Sequence, residues 1–368
     1  MSIDKVKETF KIWLEKHRND YFANNAVGVG CFNFHPYDVA WAVTKQCNLK
    51  CQHCSIDATT SNTKDNELST EEGFSFIDDV AKLGPVKFVF TGGELFVRND
   101  IFELIEHAAS YDMMIEVATN GTLINDSVAK RLKDIGVYEV AISMDGNESI
   151  HDNFRGVNGT YNKAVNAIKA CKKAGLMVHF HTTMSKMNLK ELPNIIELAE
   201  RFQADRIYIG ALIAVGRGNQ ISDSCLSAKE MKDIFKFVVE QQPKTPVWLR
   251  PVCPQFWAFL KSEGLSNDDK DHKFVGCTAG ISSFHIRPNG DVSFCAELPL
   301  QIGNVRKKPF STIIKEAEIF ERAKKRDIKG KCADCKYLNA CGGCRARAFA
   351  ASGDLFAEDP VCFLNCKN

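Results

Sequence analysis

Cys47, Cys51 and Cys54 stand in the run VTKQCNLKCQHCSIDA, directly after the apolar stretch Val39-Ala40-Trp41-Ala42-Val43. Three thiolates spaced CxxxCxxC on one tight loop can hold three irons of a 4Fe–4S cube and leave the fourth iron open to a substrate or cosubstrate. Zinc is the competing reading, although zinc motifs more often pair CxxC with a second pair or with histidines. A second set of cysteines crowds the C-terminus. Cys277 and Cys295 bracket an apolar alternation about Asn289-Gly290 that reads as a hairpin with a cysteine near each end. Cys332-x2-Cys335-x5-Cys341-x2-Cys344 follows, and then Cys362. Isolated Cys171 and Cys225 read as small buried hydrophobes, whereas Cys31, Cys253 and Cys366 fall into no pattern.

Chemistry also gathers after other apolar runs. Val86–Phe90 leads into Thr91-Gly92-Gly93-Glu94, where two glycines permit a bend and close approach to a ligand and the carboxylate can anchor an ammonium group. Ala118-Thr119-Asn120-Gly121 and Ser143-Met144-Asp145-Gly146 offer hydroxyls, an amide and a carboxylate suited to ribose and carboxylate contacts. Arg155 follows in HDNFRG. Taken singly, Asp145-Gly146 is also a plain turn and Arg155 a surface ion pair.

These motifs need a scaffold that presents them together. Short apolar runs at Val39–Thr44, Val86–Phe90, Met114–Ala118, Glu139–Ser143, Met177–Thr182 and Arg206–Ala211 alternate with segments of helical period. The helical segments are Thr70–Leu83, Ile101–Tyr111, Ser127–Ile135, Tyr161–Ala174 and Leu189–Phe202. Successive βα units imply an α/β fold built on a parallel sheet, and six of them make a partial, TIM-like (β/α)6 barrel with its chemistry at the C-terminal strand ends. Each motif above falls at such an end. The expected organisation is a helical extension over residues 1–35, the barrel over 36–245, a Pro- and charge-punctuated bridge over 246–274, and a small cysteine-rich module over 275–368.

Composition narrows the class further. In 368 residues, 47 Lys plus Arg nearly equal 46 Asp plus Glu, so no global field favours nucleic acid or an anionic membrane as partner. The N-terminal segment places Ile3, Val6, Phe10, Trp13 and Leu14 at helical spacing among charges, which reads as an amphipathic helix on the body of the protein and not as a signal peptide. Fifteen cysteines without an export signal point to metal ligation in the reducing cytoplasm.

The CxxxCxxC loop with His53 before its last cysteine, the GGE of Gly92, Gly93 and Glu94, and the run ISMDGNESIHDNFRG together resemble the radical S-adenosylmethionine (SAM) superfamily. The C-terminal cysteine order resembles its SPASM domain, the auxiliary-cluster module, for which a zinc ribbon is the competing form. The resemblance implies an oxidoreductase or maturase that cleaves SAM reductively to a 5′-deoxyadenosyl radical and abstracts hydrogen from a substrate. It implies a 4Fe–4S cluster on Cys47, Cys51 and Cys54, with SAM contacts from Gly92, Gly93, Glu94, Asn120, Ser143, Asp145 and Arg155. By motif position, Cys332, Cys335, Cys341 and Cys362 hold one auxiliary cluster. Cys277, Cys295 and Cys344 hold the other, which lacks an obvious fourth thiolate and leaves an open iron, a non-cysteine ligand or a distant cysteine such as Cys253. A one-electron donor of flavodoxin or ferredoxin type is implied as partner.

CGGCRARAFAASGDLFAEDPVC is similar to the C-terminal signature of tetrapyrrole-modifying members, in the heme d1 and siroheme-dependent heme routes, and of members that make peptide thioethers. Arg345 and Arg347 could pair with substrate carboxylates or order the Glu358-Asp359 loop. His179 and His181 alternate on the fifth strand and could both face the barrel interior. A non-catalytic iron–sulfur carrier or scaffold is the alternative class, for which the GGE loop and barrel would be superfluous.

Overall fold

The computed structural model describes residues 3–16, 38–61, 66–84, 86–266 and 276–364. Cys31 and Cys366 lie outside them. Ten strands form one sheet: β1 Asp38–Ala42, β2 Val86–Thr91, β3 Met113–Thr119, β4 Glu139–Ser143, β5 Met177–Met184, β6 Arg206–Ala211, β7 Trp248–Pro251, β8 Ser283–Ile286, β9 Asp291–Ser293 and β10 Gly303–Asn304. Their order is β10-β9-β8-β1-β2-β3-β4-β5-β6-β7. β1 to β7 pair in parallel, each with its neighbour in sequence.

Helices cover the outer face of the barrel. Thr70–Ala81 begins at a reciprocal cap in which Ser69 accepts from the Glu72 N–H and the Glu72 carboxylate accepts from the Ser69 N–H. Its apolar side sends Phe76 against Trp41 and Phe88, with ring centroids 5.7 and 5.8 Å apart. Both faces of a parallel sheet are buried, and β2 shows it, with every residue from Val86 to Phe90 buried. The N-terminal helix Ile3–Lys16 packs on the far edge: Phe10 is buried, Trp13 meets the Trp248 ring at 5.5 Å, and Lys7 pairs with Glu263 at 2.6 Å.

Two features depart from the expected plan. Residues 246–274, expected as a bridge, carry β7 and the helix Gln255–Ser262, so the barrel sheet runs to seven successive parallel strands and not six. The prolines of PKTPVWLRPVCP mask this strand; at a sheet edge, where one side of the backbone needs no ladder partner, they are tolerated. Second, the cysteine-bearing hairpin is no separate sheet. β8 pairs in parallel with β1, and β9 and β10 add antiparallel strands beyond it. Arg306 adds a further tie, its guanidinium binding Glu72 at 2.7 and 2.9 Å. Among the described residues, no helix is long and apolar enough to cross a membrane.

Candidate functional site

The CxxxCxxC loop leaves the C-terminal end of β1 and is held by three neighbouring segments. From the GGE turn, the Gly93 and Glu94 N–H groups donate to the Thr44 and Gln46 carbonyls at 2.7 and 2.9 Å. A Cβ on Gly93 would lie 2.2 Å from the Gln46 carbonyl oxygen, so the close approach that demands glycine is to the cysteine loop itself. From the helix Glu148–Arg155, the Arg155 and Phe154 carbonyls accept from Lys50 and Gln52 at 3.3 and 3.0 Å. After β6, Arg217 donates from Nε to the Cys51 carbonyl at 2.9 Å and from Nη1 to the Ala58 carbonyl at 2.5 Å, while its own N–H reaches the Cys54 carbonyl at 3.0 Å. Sequence reasoning missed Arg217, although Gly216-Arg217-Gly218 past a strand end was the available signal.

The sulfurs sit among donors. The Leu49 N–H lies 3.4 Å from Cys47 Sγ and the Ala58 N–H 3.3 Å from Cys54 Sγ, with Asn120 Nδ2 and Arg155 Nη1 each 3.9 Å from Cys47 and Cys51 Sγ. Burial pushes the Cys47 thiol up to about 12, with Glu94 and the other two thiols adding to it. An electropositive metal cluster would displace those protons, and N–H donors to sulfur then support the thiolates. The donor set therefore fits an iron–sulfur cluster.

Glu94 is 1% exposed. It accepts from the Thr119 hydroxyl at 2.8 Å and from the Asn120 N–H at 2.9 Å, yet burial pushes it up to about 6. A buried carboxylate without a cation is poised for an incoming ammonium group. Asn120 also donates to Asn48 on the cysteine loop at 2.9 Å, tying the carboxylate to the cluster loop. Gly92, Gly93, Asn120, Ser143 and Arg155 line one cavity, whereas the buried Glu94 and Asp145 stand behind its wall. Asp145, expected near the ribose, is fully buried: it binds Arg155 through Oδ2 at 2.6 and 2.7 Å and the Thr183 N–H through Oδ1 at 3.0 Å. Burial opposes its ionisation, but Arg155, His53, His151 and the Thr183 N–H together hold it below the usual carboxylate range. It aims Arg155 at Cys51. In the same HDNFRG run, Asp152 caps the next helix, accepting from the Thr160 hydroxyl at 2.7 Å and the Tyr161 N–H at 2.8 Å. His53 stacks on Phe154 at 4.0 Å, and burial, then Arg155, pushes it down to about 3.

A cavity of about 490 Å³ runs from Cys47, Cys51 and Cys54 past Ser143, Arg155 and His181 to Cys277, Cys295 and Cys344. The latter three influence one another electrostatically, and burial raises the thiols of Cys295 and Cys344. Cys332, Cys335, Cys341 and Cys362 surround a separate small cavity with Asp359. Burial raises Cys341, and its neighbours Asp359, Cys362 and Cys332 add to that. The fold thus brings the C-terminal cysteines into two groups, of three and of four.

The two imidazoles of β5 diverge. His179 is fully buried, 3.5 Å from both Glu116 and Glu139 in a charged layer with Lys87 and Arg206 near the N-terminal strand ends. Burial opposes its protonation, but Glu116, Glu139 and Tyr208 together raise it to about 9. His181 opens onto the cavity. Arg347 pairs with Asp359 at 2.9 Å and Arg345 donates to the Leu355 and Ala357 carbonyls at 2.9 and 2.8 Å. Both arginines therefore order the loop, and both also line the large cavity, where Arg345 Nη2 is buried without a hydrogen-bond partner.

The Gly93 contact makes a direct prediction. Gly93→Ala must push the GGE turn off the Gln46 carbonyl, displacing Glu94 from the cysteine loop. Misplacement by about 1 Å can cost roughly 100-fold in rate. SAM cleavage, read as 5′-deoxyadenosine by liquid chromatography, is expected to fall by that order with cluster absorbance retained. A parental rate would show that the close approach is immaterial.

Residues 41–199 match the family model described as the Radical SAM superfamily, and residues 277–336 match the SPASM iron–sulfur cluster-binding domain. The chain is 35% identical to an AdoMet-dependent heme synthase of Methanosarcina barkeri, over 89% of this chain and 96% of that one. It is 28% identical to a PqqA peptide cyclase of Granulibacter bethesdensis, over 90% and 88% of the two chains. Streptococcus suis SuiB bound to S-adenosylmethionine shares the fold with a TM-score of 0.73 at 17% identity, over 95% of this chain and 82% of that one. With its CxxxCxxC loop, GGE turn and cysteine-rich module so arranged, the chain belongs to the radical SAM superfamily and is one of its SPASM-bearing enzymes.

Proposed function

We propose that this radical SAM enzyme oxidatively modifies a side chain of a tetrapyrrole, taking its electron in the cytoplasm from a flavodoxin- or ferredoxin-type donor. The structural observation that supports the radical chemistry is the continuous cavity that joins the Cys47, Cys51 and Cys54 loop to Cys277, Cys295 and Cys344. When bound, the first cluster supplies the electron that splits SAM, and the auxiliary clusters accept or relay the electron that substrate oxidation releases. The residues of the chain bind and orient. Glu94 takes the SAM ammonium, Arg155 the SAM carboxylate and Ser143 the ribose region, while Asp145 and Asn120 hold those groups in place. The walls exclude water that would quench a carbon radical. The resemblance to a heme synthase at 35% identity, against 28% for a peptide cyclase, favours the tetrapyrrole over a ribosomal peptide.

The test is anaerobic turnover of the reconstituted chain with SAM and reductant. A tetrapyrrole bearing propionates is expected to raise 5′-deoxyadenosine formation and to change mass in step with it. Modification of a precursor peptide, with tetrapyrroles inert, would overturn the assignment of substrate and leave the radical chemistry intact.

A further inference from the structure

The large cavity lined by Cys277, Cys295 and Cys344 is also lined by His285, on β8. Its side chain is 3% exposed and lines that cavity, and its Nδ1 is buried with no hydrogen-bond partner. An unpaired buried polar atom is costly, and one that persists is met by an ordered water, an ion or a ligand, or serves a reactive role. Register places the residue more closely. His285 pairs with Ser293 across the β8–β9 ladder. Just past the end of β9, Phe294 turns into the hydrophobic core and Cys295 onto the cavity. Ser283, His285 and Cys295 all line the cavity. The chain before β8 supplies Cys277 and the N-cap of the helix Arg345–Ser352 supplies Cys344.

Cys253 and Glu297 also line this cavity. Cys253 follows β7, and its thiol is engaged by Arg347 and by the Ala211 N–H. Glu297 influences Cys295 more strongly than the other thiols do, but it would add a further negative charge to three thiolates. His285 is the donor whose ring nitrogen is buried and unclaimed.

We propose that the His285 imidazole is the fourth protein ligand of the iron–sulfur centre held by Cys277, Cys295 and Cys344. An imidazole lone pair forms an Fe–N bond at the iron that three thiolates leave open; no other bond breaks and no electron moves. Imidazole nitrogen is an established iron ligand, and exchanging thiolate for histidine raises the potential of an iron–sulfur centre. The raised potential suits a centre that accepts an electron from the substrate end of the cavity. This inference rests on the reading that the three cysteines hold a cluster.

The full-length chain, grown with 15N-histidine and reconstituted anaerobically, is reduced without SAM and read by pulsed EPR. A directly bound histidine nitrogen is expected to give a coupling that changes with the label, at an iron content of about twelve per chain for three cubane clusters. His285→Cys is expected to abolish the coupling, keep the iron and lower the auxiliary potential. Absence of histidine coupling at about twelve irons, or its persistence in His285→Cys, overturns the ligand assignment alone. Iron near eight with only two clusters detected overturns the three-cysteine reading, and the ligand with it. Because the isotope experiment uses the unaltered protein, a misfolded variant does not cloud the result.

Discussion

Replacing Cys47, Cys51 or Cys54 singly by alanine is expected to abolish SAM cleavage and to remove one cluster's iron while the C-terminal clusters remain. The loss should exceed about 100-fold, the upper end of what removing a mere supporting contact around a metal costs. The loop itself should survive. Its backbone is held by the Gly93 and Glu94 N–H groups, by the Phe154 and Arg155 carbonyls and by Arg217, none of which depends on the sulfurs. The C-terminal cysteines hang on other segments, those flanking the β8–β9 hairpin and those between Gly330 and Cys362. Iron per chain, visible absorbance and 5′-deoxyadenosine yield read the three expectations separately. A single variant that forms 5′-deoxyadenosine at the parental rate would remove this loop from the chemistry.

The parts of the fold legible in the sequence are those with a strong local period. β2 to β6 and most of the helices between them carry long apolar runs or amphipathic stripes, and their expected and observed limits differ by a few residues at most, whereas the short helix Glu148–Arg155 was not expected. β7 was masked because four residues between prolines carry no period. The joining of β8 to β1 was illegible for another reason. It is a pairing between residues far apart in sequence, and no local pattern encodes such a partner. The site divides in the same way. Glycines at 92 and 93 advertise a close approach, but only the fold identifies the Gln46 carbonyl as what is approached. Asp145 reads as a ligand contact by residue type, whereas both its oxygens are occupied by Arg155 and the Thr183 N–H. Arg217 and His285 carry no motif. Their roles arise from where β6 and β8 end, which is a tertiary fact.

Replacing Cys332, Cys335, Cys341 or Cys362 is expected to uncouple SAM cleavage from product formation, with abortive 5′-deoxyadenosine persisting and modified substrate falling to background. The four thiols surround a cavity apart from the large one, so SAM binding by Glu94, Arg155 and Ser143 does not pass through them. They are tied to the large cavity by the Cys277 N–H, which donates to the Cys341 carbonyl at 2.9 Å, and by Asp359. That carboxylate borders the four-cysteine cavity, accepts from the Cys344 N–H at 2.6 Å and pairs with Arg347, which lines the large cavity. Loss of the cluster among these thiols should therefore loosen Cys344 and the substrate end while the barrel stays intact. Because metal binding and folding are coupled in such modules, circular dichroism and retained first-cluster absorbance must precede the kinetic comparison. Asp359→Asn separates electron transfer from placement: it weakens the Arg347 tether and leaves all four thiols, so partial uncoupling with full iron content assigns part of the effect to positioning. A folded Cys335→Ala protein that converts the substrate at the parental rate would show that the four-cysteine centre serves stability alone, and that the electron released by the substrate leaves through the three-cysteine centre directly.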